Sequence, residues 1–404
     1  MKIVVLKFGG TSVGSTQRIK NVAKIVSNYI KKKIKIIIVS SAMGGFTNKL
    51  INKSLLVSDK FDKSEYDVLL SAGEQISCSL LAGRLRHIGL KSKSFMSWQV
   101  PIISNTEYSN AKILNIPKTN IIRYLKQGGI PVIAGFQGIN NENRITTLGR
   151  GASDYSAIMI AKYFKASKCV IYTDVSGVMT TDPKIFKKAK KIKVISYEEM
   201  LEMSSLGSRV MQSNSVQDAR LNRINIEVKS SFKKNKGTLI TKKKNIGKSK
   251  VIRGISFTKN DAKITLASVV DKPGIAASVF KPLSNNNINV DMVVQTISVD
   301  GKTTDITFTI KQEDLKKTKK LLEINKKINY KKLLVDGNVS KVSIVGVGMV
   351  TTPGITYRMF KAISKRKINI LAISTSEIKI SVLIHKKRMR SAVTALHNEF
   401  KLGN

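Results

Sequence analysis

Apolar residues along this chain fall into short dense runs, separated by glycine-rich loops and by stretches of helical period. Lys2 to Leu6 is rich in β-branched residues and reads as a strand. Past Lys7-Phe8-Gly9-Gly10-Thr11-Ser12, residues Ile19, Val22, Ala23, Val26 and Ile30 recur at helical spacing, with Ser15 or Thr16 placed as N-cap. Ile34 to Ser40 is a second strand, apolar on both faces, as a parallel strand buried between helix layers would be. The small residues Ser41 to Gly45 follow it. Leu69 to Glu74 leads into a predicted helix from Gln75 to His87. Pro131 to Phe136 is a third buried strand. Thr146 to Asp154 is a Gly-punctuated loop before a helix over Tyr155 to Phe164, and Lys168 to Thr173 is a further strand. Repeated strand, loop and helix predict an α/β domain with a mainly parallel sheet. Ligands of such sheets gather at the carboxyl ends of strands, where this chain carries Lys7, Gly9, Gly10, Ser41, Gly44, Glu74, Gly135 and Asp174.

The first strand, its Gly-Gly loop and the following helix suit a phosphate: amides can approach closely, the helix N-terminus favours an anion, and Lys7 adds a point charge. Taken by themselves these thirty residues fit a basic side chain beside a turn equally well.

A second pattern begins after Thr241. Residues 242–250 are polar, basic and Gly-containing, as a linker is. Beyond lies an internal repeat: Asp271-Lys272-Pro273-Gly274-Ile275 returns 80 residues later as Thr351-Thr352-Pro353-Gly354-Ile355. The same offset pairs Phe280 with Phe360, Ile288 with Ile368 and Asn289 with Asn369. Each copy reads strand, Pro-Gly turn, amphipathic helix, Asn turn, strand, a unit that packs on its own kind. The expected divisions are an α/β domain over 1–241, a linker and entry segment over 242–262, and two repeat units over 263–338 and 339–404.

Composition changes this picture little. The 404 residues, 42% apolar, suffice for two or three domains. No run of about 18 apolar residues predicts a transmembrane helix, and the N-terminus enters a strand with no signal-peptide pattern. Cys78 and Cys169, far apart and outside any CxxC pair, fit buried thiols in a reducing cytoplasm. The net charge of +45 raises nucleic acid as a partner. The lysines, however, are dispersed among Ile and Asn residues, and no basic segment is interleaved with aromatics, so no specific nucleic-acid role is expected. Three motif fragments are set aside. Ile246-Gly247-Lys248-Ser249 ends like a P-loop, but Lys242 stands where the leading glycine belongs. Gly346-Val347-Gly348 has Thr351 at the third glycine position of a dinucleotide fingerprint. His87, His385 and His397 lack a metal-binding spacing and read as surface or partly buried residues.

The loops, taken in order, resemble the aspartate kinases of the amino-acid kinase superfamily. The matching segments are KFGGTSV at Lys7–Val13, SSAMGG at Ser40–Gly45, SAGE at Ser71–Glu74, GFQG at Gly135–Gly138, TTLGRGASD at Thr146–Asp154 and TDVSGVMTTDP at Thr173–Pro183. The paired C-terminal units resemble ACT regulatory domains, with DKPG at Asp271–Gly274 and TSEIKIS at Thr375–Ser381. The resemblance spans essentially the whole chain and implies an α/β amino-acid kinase domain followed by two ferredoxin-like ACT units. It further implies phosphoryl transfer from Mg-ATP to the side-chain carboxylate of L-aspartate. That reaction gives 4-phospho-L-aspartate, the first step toward lysine, threonine and methionine. Magnesium would arrive with the nucleotide, with no tightly bound organic cofactor and no protein metal site.

The chemistry agrees with the residue types. A carboxylate and a polyphosphate are both anions, so cations and amides must offset their repulsion and the charge developed in transfer. No protein base is required, because the attacking carboxylate is ionised at neutral pH. By resemblance, Lys7 would neutralise the transferring phosphoryl group, with Phe8, Gly9 and Gly10 around the phosphates. Asp154 would hold the cations in register, its alternative being an N-cap of the next helix. Glu74 would bind the substrate ammonium, its alternative being a capping carboxylate at a helix start. Arg150, with Gly151 and Ser153, would clamp a substrate carboxylate. Ser41 and Thr47 would bond nucleotide or substrate. Thr173, Asp174, Val178, Met179, Thr180, Thr181 and Asp182, with Ser153 and Arg209, would form the ATP site.

Three departures bear on turnover: Ala152 stands for the second glycine of GRGGSD, Phe46 for a small hydroxyl residue, and Arg209 for a lysine near the phosphates. The ACT resemblance implies inhibition by lysine, threonine or both, and a homodimer or higher oligomer through the ACT units. Effector contacts from the first unit would be Asp271, Gly274, Ile275, Ala276, Asn289, Val290, Asp291 and Gln295. From the second they would be Ile355, Thr356, Asn369, Ile370, Ser376 and Glu377. The alternative is that these Pro-Gly and Asn residues make turns and the repeats only dimerise. Two other function classes stay open: a related kinase of glutamate, acetylglutamate or a nucleotide, and a non-enzymatic amino-acid sensor.

Overall fold

The computed structural model describes residues 2–403 apart from 150, 206–209, 243–249, 300 and 326, and apart from the side chain of residue 350. The chain forms two compact units. The first comprises Met1–Val178, Lys191–Ser204 and Arg209–Lys248; the second comprises Met179–Lys190, Ser205–Ser208 and Ser249–Asn404.

In the first unit the chain runs β1 (Ile3–Phe8), α1 (Thr16–Lys31), β2 (Lys35–Ser40), α2 (Phe46–Val57), α3 (Lys63–His87) and β3 (Ser92–Phe95). It continues β4 (Ile103–Ser104), β5 (Ile113–Asn115), α4 (Thr119–Lys126), β6 (Ile130–Ala134), β7 (Gln137–Ile139) and β8 (Ile145–Thr147). Then come α5 (Ser153–Tyr163), β9 (Lys168–Thr173), β10 (Val194–Ser196), α6 (Tyr197–Ser205), α7 (Ser213–Leu221), β11 (Ile226–Ser230) and β12 (Thr238–Thr241).

Eight strands form one sheet in the order β10-β12-β11-β9-β1-β2-β6-β3. All pairs are parallel except β11 with β12. β1 is fully buried on both faces, as its apolar run requires. Val4, Leu6 and Phe8 pack in one core with Ile19, Val22 and Val26 of α1 and Cys78, Leu81 and Leu85 of α3. After β1 the chain steps to β2 on one side, while β9 closes on the other. The carboxyl end of β1 is therefore where the strand order reverses and a crevice opens. Ser15 caps α1, accepting from the Arg18 amide at 3.3 Å.

One expected boundary is corrected. The helix predicted from Gln75 begins twelve residues earlier, at Lys63, where Asp62 caps it by accepting from the Ser64 and Glu65 amides at 2.8 and 3.1 Å. SAGE lies inside this helix. Its glycine reads as a stop in sequence, yet a Cβ on Gly73 would stand 2.8 Å from that of Ala42, so glycine here permits close packing rather than a turn.

The second unit contains β13 (Gly254–Phe257), β14 (Asp261–Val270), α8 (Ile275–Asn285), β15 (Val293–Ile297), β16 (Thr303–Lys311), α9 (Leu315–Ile324) and β17 (Lys332–Val345). α10 (Ile355–Ser364), β18 (Ile370–Ser376), β19 (Lys379–His385) and α11 (Met389–Glu399) complete it. The strands form an antiparallel sheet ordered β15-β16-β14-β17-β19-β18, with β13 pairing β17. The repeat is structural. Gly274 and Gly354 stand at the starts of α8 and α10 with φ of 86° and 85°. Ile288 and Phe280 pack in one core, and Ile368 and Phe360 in its counterpart. No helix among the described residues is long and apolar enough to cross a membrane.

Candidate active site

The end of β1 delivers Lys7 into the crevice. The chain then turns through Gly9, whose amide donates to the Tyr172 carbonyl at 3.0 Å. Gly10 is required by a close approach: a Cβ there would meet the Ala42 carbonyl at 2.8 Å. The Gly10 carbonyl accepts from the Gly44 amide at 3.0 Å, and Ser41 donates its amide to Phe8 at 3.1 Å. The loops after β1 and β2 are thus stitched together. Phe8 itself is buried, stacked on Tyr172 at 4.9 Å between centroids.

Lys7 Nζ lies 2.6 Å from Asp154 Oδ1, both side chains being about nine-tenths buried. Asp154 is the second residue of α5, whose N-cap is Ala152; the alternative of Asp154 as the cap is thereby corrected. Its carboxylate turns to Lys7 because a buried ammonium needs a counter-charge. Ser153, also buried, packs beside Gly135.

Glu74 is 3% exposed and sits mid-helix in α3, which removes the reading of a carboxylate at a helix start. Its Oε1 accepts from the Ala42 amide at 3.0 Å, while Oε2 is buried with no hydrogen-bond partner among the described residues. Burial pushes the carboxyl up to about 7, with the Ala42 amide and the Lys7 charge pulling the other way. A buried carboxyl with one open oxygen has room to accept a further hydrogen bond or a cation. Thr47 is half-buried in the first turn of α2.

Gly149 and Gly151 carry φ of 86° and 77°, whereas Ala152 has φ −74°. Ala152 is not at a left-handed position: among the described residues of this loop those positions are glycines. Arg150 and Arg209 lie outside the described residues, as do residues 246–249 of the P-loop-like fragment.

The segment expected at ATP is divided. Thr173, Asp174 and Val178 belong to the first unit, where the Val178 amide donates to Thr238 Oγ1 at 2.9 Å. Met179, Thr180, Thr181 and Asp182 belong to the second. There the Thr180 hydroxyl accepts from the Lys190 amide at 3.0 Å and lies 2.9 Å from His397 Nε2. His397 is 1% exposed, so the expectation of a surface or partly buried histidine is corrected for this residue.

Of the expected effector contacts in the second unit, Ile275 and Ile355 are buried at the starts of their helices. Thr356, Asn369, Ser376 and Glu377 are exposed, as are Asn289, Asp291 and Gln295. Asn289 and Val290 line a cleft of about 440 Å³ with Phe280 and Leu283. Asp291 forms an ion pair with the buried Lys341 of β17.

Several supporting residues escape sequence reasoning. The Ser77 hydroxyl donates to the Ser41 carbonyl at 2.6 Å and holds the loop after β2. Ser12 Oγ donates to Ser231 Oγ at 2.9 Å, tying the Gly-Gly loop to the end of β11. Ser77 could have been found at i+3 from Glu74; nothing in sequence links Ser12 to Ser231.

A lysine–carboxylate pair on a Gly-Gly loop, at the switch point of a parallel sheet and opposite a buried open carboxylate, defines a phosphate-handling α/β enzyme. The amino acid kinase family model matches residues 2–230, and an ACT domain model matches residues 265–324 and 342–400. An aspartate kinase of Pseudomonas putida is 43% identical over 404 residues, covering 100% of this chain and 98% of the relative. Escherichia coli aspartokinase III in complex with aspartate and ADP (R-state) aligns with a TM-score of 0.81 at 24% identity, over 98% of this chain and 99% of that one. Its complex with lysine and aspartate (T-state) gives 0.78 at 25% identity, over the same shares. The chain belongs to the amino acid kinase family and, with its paired ACT domains, to the aspartate kinases within it.

Proposed function

We propose that this chain transfers the γ-phosphoryl group of Mg-ATP to the side-chain carboxylate of L-aspartate, yielding 4-phospho-L-aspartate and ADP. A carboxylate oxygen attacks the γ-phosphorus while the bond to the β–γ bridging oxygen breaks, and the electron pair leaves with ADP. The step opens the route to lysine, threonine and methionine in the cytoplasm.

The observation that carries the reading is the Lys7–Asp154 pair at 2.6 Å, joined through the Ser41–Gly44 loop to Glu74 and its unpartnered oxygen. Lys7 supplies charge to the transferring phosphoryl group, with the Gly-Gly loop giving the phosphates close approach. Asp154 fixes Lys7. Glu74 takes the substrate ammonium and Arg150 its α-carboxylate, which leaves the side-chain carboxylate facing the nucleotide. In this reading Ser41 and Thr47 bond nucleotide or substrate, and Gly151 and Ser153 join Arg150 at the substrate carboxylate.

Trapping the acyl phosphate with hydroxylamine tests this. Aspartate-dependent hydroxamate that vanishes in Lys7→Ala supports both reaction and site. Product from glutamate or acetylglutamate but not from aspartate would replace the substrate assignment.

The ACT repeat supports feedback inhibition by lysine, threonine or both, and assembly of copies through these units. Val293 and Ile297 on the edge strand β15 are exposed, apolar and suited to such assembly. Activity titrated with lysine and threonine, singly and together, decides the effector; no change under any combination removes the regulatory assignment.

A further inference from the structure

The buried face of α3 carries a second carboxylate. Asp67 is fully buried and stands seven residues before Glu74, with buried Ser71 between them. The spacing of two turns places all three on one face, Asp67 and Glu74 being about 10 Å apart along the axis.

Asp67 touches neither Lys7 nor the Gly-Gly loop. Its Oδ2 accepts from the backbone amides of Ser109 at 2.8 Å and Thr147 at 2.7 Å. Its Oδ1 accepts from the hydroxyls of the same two residues at 3.0 and 2.7 Å. The Ala111 amide donates to the Thr147 carbonyl at 2.9 Å, joining the two segments directly. Ser109 adopts the left-handed region, φ 66°, and its neighbourhood packs under Gly149. Thr147 ends β8, and the next residues are Leu148, Gly149, Arg150, Gly151, Ala152, Ser153 and Asp154. Leu148 is itself pinned, its amide donating to Phe136 at 2.9 Å. A fully buried carboxylate with four neutral donors thus joins two loops to α3.

We infer that Asp67 is a positioning residue for substrate recognition: it fixes the start of the 147–153 loop on the helix that also carries Glu74. The inference rests on the assignments of Glu74 and Arg150 made above. One helix then carries Glu74 and anchors the described start of the loop, Thr147 and Leu148, that in the reading above leads to the group for the substrate carboxylate. The nucleotide phosphates are held chiefly from β1, and Ser153 and Asp154 at the far end of the loop are seated in α5, so the effect falls mainly on the amino-acid substrate.

The test is steady-state kinetics on the full chain carrying Asp67→Asn, Thr147→Val or Arg150→Ala. Both loop amides share Oδ2, so an asparagine can keep them through its single oxygen, while the Ser109 and Thr147 hydroxyls lose the charged acceptor they share at Oδ1. Asp67→Asn is expected to raise KM for aspartate at least tenfold, with KM for ATP changed less than twofold and kcat less than threefold. Thr147→Val removes one hydroxyl bond only and is expected to raise the same KM about threefold. It carries the test should Asp67→Asn not fold. The double variant Asp67→Asn/Arg150→Ala is expected to have a KM for aspartate no higher than Arg150→Ala, because both act through one loop. Equal rises in both KM values, or a fall in kcat at unchanged KM, would overturn the inference. The underlying reading fails separately: in that case Arg150→Ala leaves KM for aspartate unchanged.

Discussion

Lys7 and Asp154 meet at 2.6 Å although they stand 147 positions apart in sequence, one at the end of β1 and the other in the first turn of α5. The two charges form one ion pair, and both side chains are about nine-tenths buried. Removing one member strands the other in a site of low polarity. Lys7→Ala is therefore expected to cost about 3 kcal/mol of stability and at least about a hundredfold in kcat. Lys7→Arg keeps the charge but replaces a compact ammonium by a planar fork. It should retain most of the stability and still lose at least tenfold in kcat. Thermal unfolding and hydroxamate formation on the same preparations check this; an arginine variant as active as the parent would show that charge alone is needed.

Glu74 gives a pH prediction of definite sign. Its carboxyl lies near 7 in the folded chain against 4.5 ordinarily, so the folded form binds a proton more tightly than the unfolded form between those values. Stability from this group is greatest below 4.5 and is lost as pH rises toward 7. The full effect is about 3 kcal/mol. Glu74→Gln, which cannot ionise, should unfold at higher temperature than the parent at pH 8, with the gap closing toward pH 4.5. It should lose aspartate binding at every pH. In the parent, KM for aspartate should climb as pH falls below 7, since only the carboxylate pairs with an ammonium. A KM flat from pH 6 to 8 would remove Glu74 as the ammonium partner.

The elements read well where one physical cause acts locally. The strands β1 and β2 are apolar on both faces because both faces are buried, and Ser15 caps α1 by accepting from the amide of Arg18, three residues on. Expectations fail where the cause lies elsewhere in the chain. Gly73 marks no helix start, because what it accommodates is Ala42 on another element. His397 is buried by Thr180 and Phe186, which no spacing around His397 reveals. The repeat survives as two equivalent cores because its 80-residue offset carries the packing positions themselves.

Ala152 offers a test in the opposite direction from most substitutions. Its φ of −74° lies in a region open to any residue, at the N-cap of α5. Ala152→Gly should therefore change kcat and both KM values less than about twofold and lower stability by about 0.5 kcal/mol, through the freer unfolded chain. Gly151→Ala is the contrast. There φ is 77°, and a Cβ would stand 2.9 Å from Gln212 Nε2, so a loss of about 1 kcal/mol or more and a rise in KM for aspartate are expected. A fivefold gain in kcat for Ala152→Gly would show that the second glycine serves the reaction after all.

His397 supplies a pH effect of the reverse sign. Its ring tilts against Phe186 with centroids 4.3 Å apart, and Nε2 lies 2.9 Å from the Thr180 hydroxyl. Burial pulls its pKa from 6.5 down to about 4, so between those values the unfolded form binds the extra proton. The stability it confers is complete above 6.5 and is lost as pH falls toward 4, by about 3 kcal/mol in full. His397→Gln can still bond the Thr180 hydroxyl but cannot charge. It should be less stable than the parent at pH 7.5, where the fitted ring is missed, and lose less on acidification. Carboxylates elsewhere titrate alike in both proteins, so their difference isolates this residue. Unfolding in urea at pH 7.5, 6 and 5 measures it; parallel pH profiles for the two proteins would mean that His397 does not titrate in this window.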